Sequence, residues 1–109
     1  MINEIDSASL REKMGAGERI QVIDIRSPAE LAEGMLPGAQ SMPMHLIPLR
    51  WQDLPKDREV VLYCRSGARS YHACQFLVQQ GLDQVLNLRG GIAAWARHGF
   101  EIERPASRP

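Results

Sequence analysis

The chain has 109 residues, 44% of them hydrophobic and 24% charged, with 13 basic and 13 acidic side chains. This length predicts one domain, and the balanced charge argues against general nucleic-acid binding, which needs a basic surface. No apolar run reaches the length of a membrane span, residues 1–6 lack the features of a signal peptide, and the two cysteines are too few for a disulfide scaffold. A cytoplasmic protein without membrane partners is therefore expected.

Short apolar segments alternate with helical patterns along the chain. The apolar segments predict strands at residues 2–5, 19–25, 40–42, 60–63 and 85–88. The helical patterns predict helices at residues 7–14, 28–33, 71–80 and 92–98, and a helical turn or short helix, the third helical element, within residues 44–53. This alternation is typical of an α/β fold with a largely parallel sheet.

Local signals support several of these helices. Asp6 or Ser7 is a suitable N-cap for the first helix, and Ser27 with Glu30 forms a capping-box pattern for the second. In the third helix, the side chains expected to face inward are those of Leu46, Ile47, Leu49 and Trp51.

Polar residues follow two of the predicted strands. Asp24 and Arg26 stand at the end of one strand, and Cys64 with Arg65 at the end of another. Because function in parallel sheets gathers outside the carboxyl ends of the strands, these residues are expected at one rim. Asp24 and Arg26 are predicted to support that rim through hydrogen bonds to loop backbone or an ion pair, and a strand-end salt bridge without a catalytic role is the alternative.

Cys64 is the candidate nucleophile. It lies between the apolar run 60–63 and a small polar turn, so its thiol is placed at the positive end of the following helix. A cysteine reacts as the thiolate, and backbone N–H groups of such a turn can converge on an anion. Arg65 and Arg69 add positive charge, and Gly67 keeps the turn small. The pattern predicts a loop that stabilises a thiolate, the anion of an extended sulfur, or a dianionic substrate. The second cysteine, Cys74, is interpreted as a small core residue.

The segment 60–70, Val-Val-Leu-Tyr-Cys-Arg-Ser-Gly-Ala-Arg-Ser, closely resembles the active-site loop of single-domain rhodaneses, which are thiosulfate-type sulfurtransferases. Three further segments resemble motifs of the same family in the same order, at residues 22–30, 34–39 and 86–95. The resemblance extends over almost the whole chain, from about residue 3 to 102.

The resemblance implies a rhodanese-like, five-stranded parallel sheet flanked by helices on both faces. It implies a rhodanese domain at residues 1–102 with a flexible tail at 103–109. It further implies a sulfurtransferase that uses a persulfide on Cys64 to move sulfur from thiosulfate or another donor to cyanide, a thiol or a protein acceptor. No metal or organic cofactor is implied. The expected substrate-binding residues are those of the loop: Arg65, Ser66, Gly67, Ala68, Arg69 and Ser70.

The chain departs from the family pattern at three positions. Met35 stands where the second motif usually carries a histidine. Ser66 and Glu30 stand where the two-domain enzymes carry a lysine and an arginine associated with thiosulfate binding. Arg65 and Arg69 still supply charge for a dianion, so sulfur chemistry is expected with the natural donor left open.

Two other functions are compatible with this fold. Rhodanese-fold phosphatases and arsenate reductases have a loop one residue longer, with an arginine six positions after the cysteine, where this chain has Ser70. A shorter loop suits a sulfur atom better than a tetrahedral phosphate. A sulfur-carrier or sensing module without free turnover is the third possibility, although binding modules of this fold typically lose the cysteine.

Overall fold

The computed structural model describes residues 2–104 and contains a five-stranded, all-parallel sheet with strand order β1-β5-β4-β2-β3. The strands are β1 (Asn3–Ile5), β2 (Ile20–Asp24), β3 (Gln40–Ser41), β4 (Glu59–Tyr63) and β5 (Val85–Leu88). The central strand β4 pairs with β2 over five residues, which places the ends of these two strands side by side. The predicted α/β fold and parallel sheet are confirmed.

Residues 2–104 contain five α-helices, of which the first four connect successive strands and the fifth follows β5. They are α1 (Ser7–Gly15), α2 (Pro28–Leu31), α3 (Ile47–Arg50), α4 (Ala68–Gln79) and α5 (Gly91–Arg97). Two of the predicted caps are present: the Asp6 side chain accepts from the Ser9 N–H at 2.7 Å, and Ser27 with Glu30 forms a reciprocal capping box. No helix in residues 2–104 is long and apolar enough to cross a membrane.

The core has one layer on each face of the sheet. Alternation along β4 sends Val60, Leu62 and the following Cys64 to the face covered by α4, whereas Val61 and Tyr63 face α1 and α5. All five of these residues are at most 1% exposed. The nucleophile candidate is therefore anchored by a strand that is buried on both faces.

The structure corrects two helix predictions. Helix α4 begins at Ala68 rather than after residue 70, so Arg69 and Ser70 belong to its first turn. The segment 44–53, predicted to be a helical turn or short helix, consists of a 3₁₀ turn, the short α3 and a second 3₁₀ turn. In this broken arrangement Leu49 is 78% exposed, so its predicted inward orientation is wrong.

The end of the domain extends beyond the predicted boundary. Glu103, expected in the tail, exchanges backbone hydrogen bonds with Met35 at 2.7 and 2.8 Å in an antiparallel bridge. The Trp95 indole N–H donates to the Glu101 carbonyl at 2.7 Å, which holds the preceding turn. The rest of the predicted tail, residues 105–109, lies outside the described residues.

Candidate active site

Cys64 occupies the junction between β4 and the N-terminus of α4. Gly67 makes the turn possible, because it adopts φ 98°, a left-handed conformation that residues with a β-carbon rarely tolerate. The Gly67 N–H then donates to Cys64 Sγ at 3.1 Å. The predicted placement of this cysteine at a strand end and a helix N-terminus is confirmed.

Several donors converge on the sulfur. Burial by itself would raise the pKa of the Cys64 thiol, but hydrogen bonds from the Ser70 hydroxyl and from the backbone N–H groups of Ser70, Gly67 and Ser66 outweigh it. The net result is a Cys64 pKa below its ordinary value. The site therefore favours a thiolate through neutral donors aimed at the sulfur.

The N-terminus of α5 donates backbone hydrogen bonds to the cysteine loop. The Ile92 and Ala93 N–H groups donate to the carbonyls of Cys64 and Arg65, both at 3.0 Å. A β-carbon on Gly91 would overlap these same two carbonyl groups, so only glycine allows the approach. The pair Gly90-Gly91 is the feature of the sequence that indicates such a close backbone contact.

Arg69 projects from the first turn of α4 but is already paired. Its guanidinium donates to both oxygens of Glu30, at 3.1 and 2.9 Å. This pair lowers the pKa of Glu30 to about 2, and it raises the pKa of Arg69 together with a smaller effect of the nearby Cys64. Arg69 thus lies at the site, but Glu30 competes with any anionic substrate for its charge.

Asp24 and Arg26 form a buried pair beneath the rim. Arg26 donates to Asp24 through its backbone and guanidinium at 2.8–3.1 Å, and to the Gly34 carbonyl at 2.6 Å. Next to them, the Tyr63 hydroxyl accepts from the Leu36 N–H at 3.0 Å. These contacts hold the segment around residue 35, whereas the described residues show no hydrogen bond from the pair to the cysteine loop. The predicted ion pair is present, and its supporting role remains a prediction.

A polar network that the sequence did not reveal extends from the sulfur through Ser70 and Asn87 to Glu4. Ser70 Oγ is 3.5 Å from Cys64 Sγ and 2.5 Å from Asn87 Oδ1. The Asn87 amide donates to the Glu4 carboxylate at 2.8 Å and to the Gly67 carbonyl at 3.2 Å. Its members come from β1, β5 and α4, so the network exists only through the parallel pairing of β1 with β5.

The profile described as Rhodanese-like domain matches residues 6–98. A protein named sulfurtransferase from Allochromatium vinosum is 61% identical over 105 residues, which cover 96% of this chain and 98% of that one. The chain belongs to the rhodanese family of sulfurtransferases.

Solved structures agree with this assignment. A rhodanese-related protein from Thermoplasma volcanium aligns with a TM-score of 0.85 at 31% identity, covering 93% of this chain and 97% of the other. A rhodanese-like domain protein from Staphylococcus aureus aligns with a TM-score of 0.86 at 29% identity, covering 96% of this chain and 100% of the other. The resemblance inferred from the motifs, and the rhodanese-like fold that it implied, are confirmed.

Within this rhodanese domain the other loop residues differ in their surroundings. Ser66 and Ala68 are exposed, and their predicted role in substrate binding stays a prediction. Arg65 is also exposed, but it lines a cavity of about 230 Å³ together with Gly34, Ile92 and other residues. The residues that line this cavity do not include Cys64.

The second cysteine has the environment of a core residue. Cys74 is fully buried on α4, and burial, with smaller effects of Glu4 and Cys64, raises its pKa to about 12. Both cysteines are free. Among residues 2–104, no group of three or more histidine, cysteine, aspartate or glutamate side chains could hold a metal ion.

Proposed function

We propose that this rhodanese transfers sulfane sulfur through a persulfide on Cys64, in a compartment that keeps the thiol reduced. The observation that carries the proposal is the set of N–H and O–H donors from Ser66, Gly67 and Ser70 directed at the sulfur. A site built in this way lowers the cost of negative charge on sulfur without a metal or a general base.

The proposed reaction has two steps. With thiosulfate as donor, the Cys64 thiolate attacks the outer sulfur, and the sulfur–sulfur bond of the donor breaks. Its electron pair leaves with sulfite, and the enzyme holds Cys64–S–S⁻. A thiophilic acceptor such as cyanide then attacks the terminal sulfur, leaves as thiocyanate and returns the thiolate. Charge and atoms balance in both steps, and no proton needs to move once the thiolate is present.

The charges near the site bear on the choice of donor. Arg69 is the cation next to the sulfur, but the Glu30 carboxylate holds its two N–H donors. Thiosulfate, a dianion, must therefore compete with Glu30 for Arg69. We propose that thiosulfate is accepted, with a less charged donor such as a low-molecular-weight or protein persulfide competing effectively with it. A protein or small-molecule thiol is the corresponding acceptor.

Mass spectrometry of the intact protein tests this function. The protein is incubated with thiosulfate, desalted and weighed, then treated with cyanide and weighed again. We expect a gain of one sulfur atom that cyanide removes and that is absent in Cys64→Ser. The matched control is Cys74→Ser, which removes the other thiol and should still acquire the sulfur.

Two results would contradict the proposal. An unmodified mass with every sulfur donor, together with hydrolysis of a phosphate or reduction of arsenate, would favour the phosphatase or arsenate reductase alternative. A persulfide that forms but is not passed to cyanide or any thiol would identify a sulfur carrier rather than a turnover enzyme.

A further inference from the structure

The Ser70 hydroxyl has two acceptors and one proton. Asn87 Oδ1 is 2.5 Å from Ser70 Oγ, whereas Cys64 Sγ is 3.5 Å away. The hydroxyl has hydrogen-bond geometry towards both acceptors, so Asn87, at the shorter distance, competes with the sulfur for its single proton. Full donation to the sulfur requires the hydroxyl to turn away from Asn87.

The orientation of the Asn87 amide makes this competition unavoidable. Its N–H₂ group donates to the Glu4 carboxylate at 2.8 Å and to the Gly67 carbonyl at 3.2 Å. A flipped amide would direct its oxygen at these two acceptors and leave them without a donor. Glu4, itself held by Arg89 at 3.4 Å, therefore keeps the amide oxygen directed at Ser70.

We propose that the Ser70 hydroxyl donates its proton either to Cys64 Sγ or to the Asn87 amide oxygen, and that the charge on Sγ decides between these two acceptors. Glu4 shifts the equilibrium between the two positions through its hydrogen bond with Asn87. The proposal rests on the persulfide function proposed above. When Sγ is a thiolate, the hydroxyl turns onto sulfur. When Sγ becomes the neutral inner atom of a persulfide, the charge lies on the outer sulfur and the hydroxyl returns to Asn87. Glu4 and Asn87 are positioning residues, since neither contacts the sulfur within the described hydrogen bonds.

Other charged groups face the thiol from the elements around it. Arg69 lies on the same helix with Glu30 of α2 behind it, and Cys74 lies on the inner face of α4. The described hydrogen bonds link none of these groups to Asn87. Glu4 also acts through space on Cys74, and the correction by the Cys64→Ser counterpart removes the titration of that second thiol, which makes a double-mutant cycle between Glu4 and Ser70 interpretable.

The test is a thiol titration that needs no sulfur donor. Thiolate absorbance in the ultraviolet is followed against pH in wild type, Glu4→Gln, Ser70→Ala and the double variant, each corrected by its Cys64→Ser counterpart. We expect Glu4→Gln to raise the ratio of thiolate to thiol at a fixed pH by about twofold to tenfold, because a neutral amide oxygen accepts the Asn87 N–H₂ more weakly than a carboxylate and so weakens the hold of Asn87 on the hydroxyl. Ser70→Ala should lower that ratio.

The decisive quantity is the effect of Glu4→Gln without the hydroxyl. In Ser70→Ala, which lacks the hydroxyl, Glu4→Gln should leave the ratio of thiolate to thiol almost unchanged. In Ser70→Thr, which has a hydroxyl again, Glu4→Gln should raise that ratio. An equal increase in both backgrounds would mean that Glu4 acts on the sulfur through space, and would overturn the proposal. No increase in wild type would overturn it as well.

Two further measurements complete the test. Glu12→Gln neutralises an exposed carboxylate on α1 and should leave the titration unchanged. Far-ultraviolet circular dichroism checks that each variant is folded. Because the titration reports only the thiol, it separates the two proposals: a protein that shows the coupling but never forms a persulfide would contradict the function and support the switch.

Discussion

Replacing Glu30 by glutamine tests whether Arg69 binds the sulfur donor. Glutamine keeps the shape of the side chain and can still complete the capping box with Ser27, so α2 should remain intact. The carboxylate that accepts both hydrogen bonds from Arg69 is lost. In this variant the Arg69 guanidinium, which lies next to Cys64, no longer has a carboxylate partner at residue 30 and is available to an anionic donor.

The expected size of the effect follows from the geometry. The pKa of Glu30 is held at about 2, so the carboxylate is ionised at any working pH and its charge opposes a dianion throughout. The Arg69 side chain is 45% exposed, which limits the pair itself to about 1 kcal/mol. Repulsion between Glu30 and a dianion seated on Arg69 is of similar size, about 1 kcal/mol in a high dielectric. Because salt screens both terms, we expect a gain of roughly 1–1.4 kcal/mol, or a KM for thiosulfate lower by about fivefold to tenfold.

The assay is thiocyanate formation from thiosulfate and cyanide, measured over a range of thiosulfate concentrations at low and high salt. A neutral organic thiosulfonate serves as the comparison donor, and Glu12→Gln is the control for a change in net charge. The decrease in KM should be specific to thiosulfate and should shrink at high salt. An unchanged KM would refute a role for Arg69 in donor binding, and an equal gain with the neutral donor would show that the effect passes through the reactivity of Cys64.

Three other predictions concern the scaffold and the thiols. Gly91→Ala should lower the free energy of unfolding by about 2 kcal/mol or more in chemical denaturation, because the added β-carbon overlaps the loop backbone and because Gly91 has φ 58°, which strains a residue with a β-carbon. The control is Gly15→Ala, which should not destabilise the protein because its added β-carbon enters open space. Asp24→Asn should cost about 3 kcal/mol in the same assay, since it leaves a buried arginine without its carboxylate, and a loss below 1 kcal/mol would contradict that burial. Because the pKa of Cys64 is lowered, small alkylating agents should label it at a lower pH than they label the same thiol in the unfolded chain, as peptide mapping would show. Cys74, with a pKa of about 12, should be labelled only after unfolding.

The fold could be predicted well where local signals and the overall architecture agree. The apolar run before Cys64, the capping box at Ser27 and the alternation of strands and helices each identified an element that the structure contains. The orientation of Leu49 was mispredicted because the apolar residues of segment 44–53 resemble one helical face, whereas Pro48 interrupts the helical hydrogen bonding and Leu49 lies in solvent. Glu103 was assigned to a tail because one bridge to Met35 has no signature in the sequence.

The candidate site divides in the same way. The cysteine and its neighbouring donors are consecutive in the chain, so a strand followed by a tight turn and a helix was enough to place them together. The partners that modify them are distant in the chain: Glu30 is separated from Arg69 by 39 residues, and Glu4 from Asn87 by 83. Such contacts depend on strand order and register, which no local pattern specifies.

The sequence by itself identified the candidate nucleophile, the resemblance to the rhodanese family and the loop predicted to stabilise negative sulfur, because these depend on residues close together in the chain and on backbone N–H groups that any such turn provides. Only the tertiary structure decided how much of the positive charge near the loop is already paired and which two acceptors compete for the Ser70 proton. Pairing of β1 with β5 brings Glu4 to Asn87 and so sets a competitor for that proton. The approach of α2 to the first turn of α4 brings Glu30 to Arg69, and half of the positive charge expected at the site is neutralised there by a side chain of the protein itself.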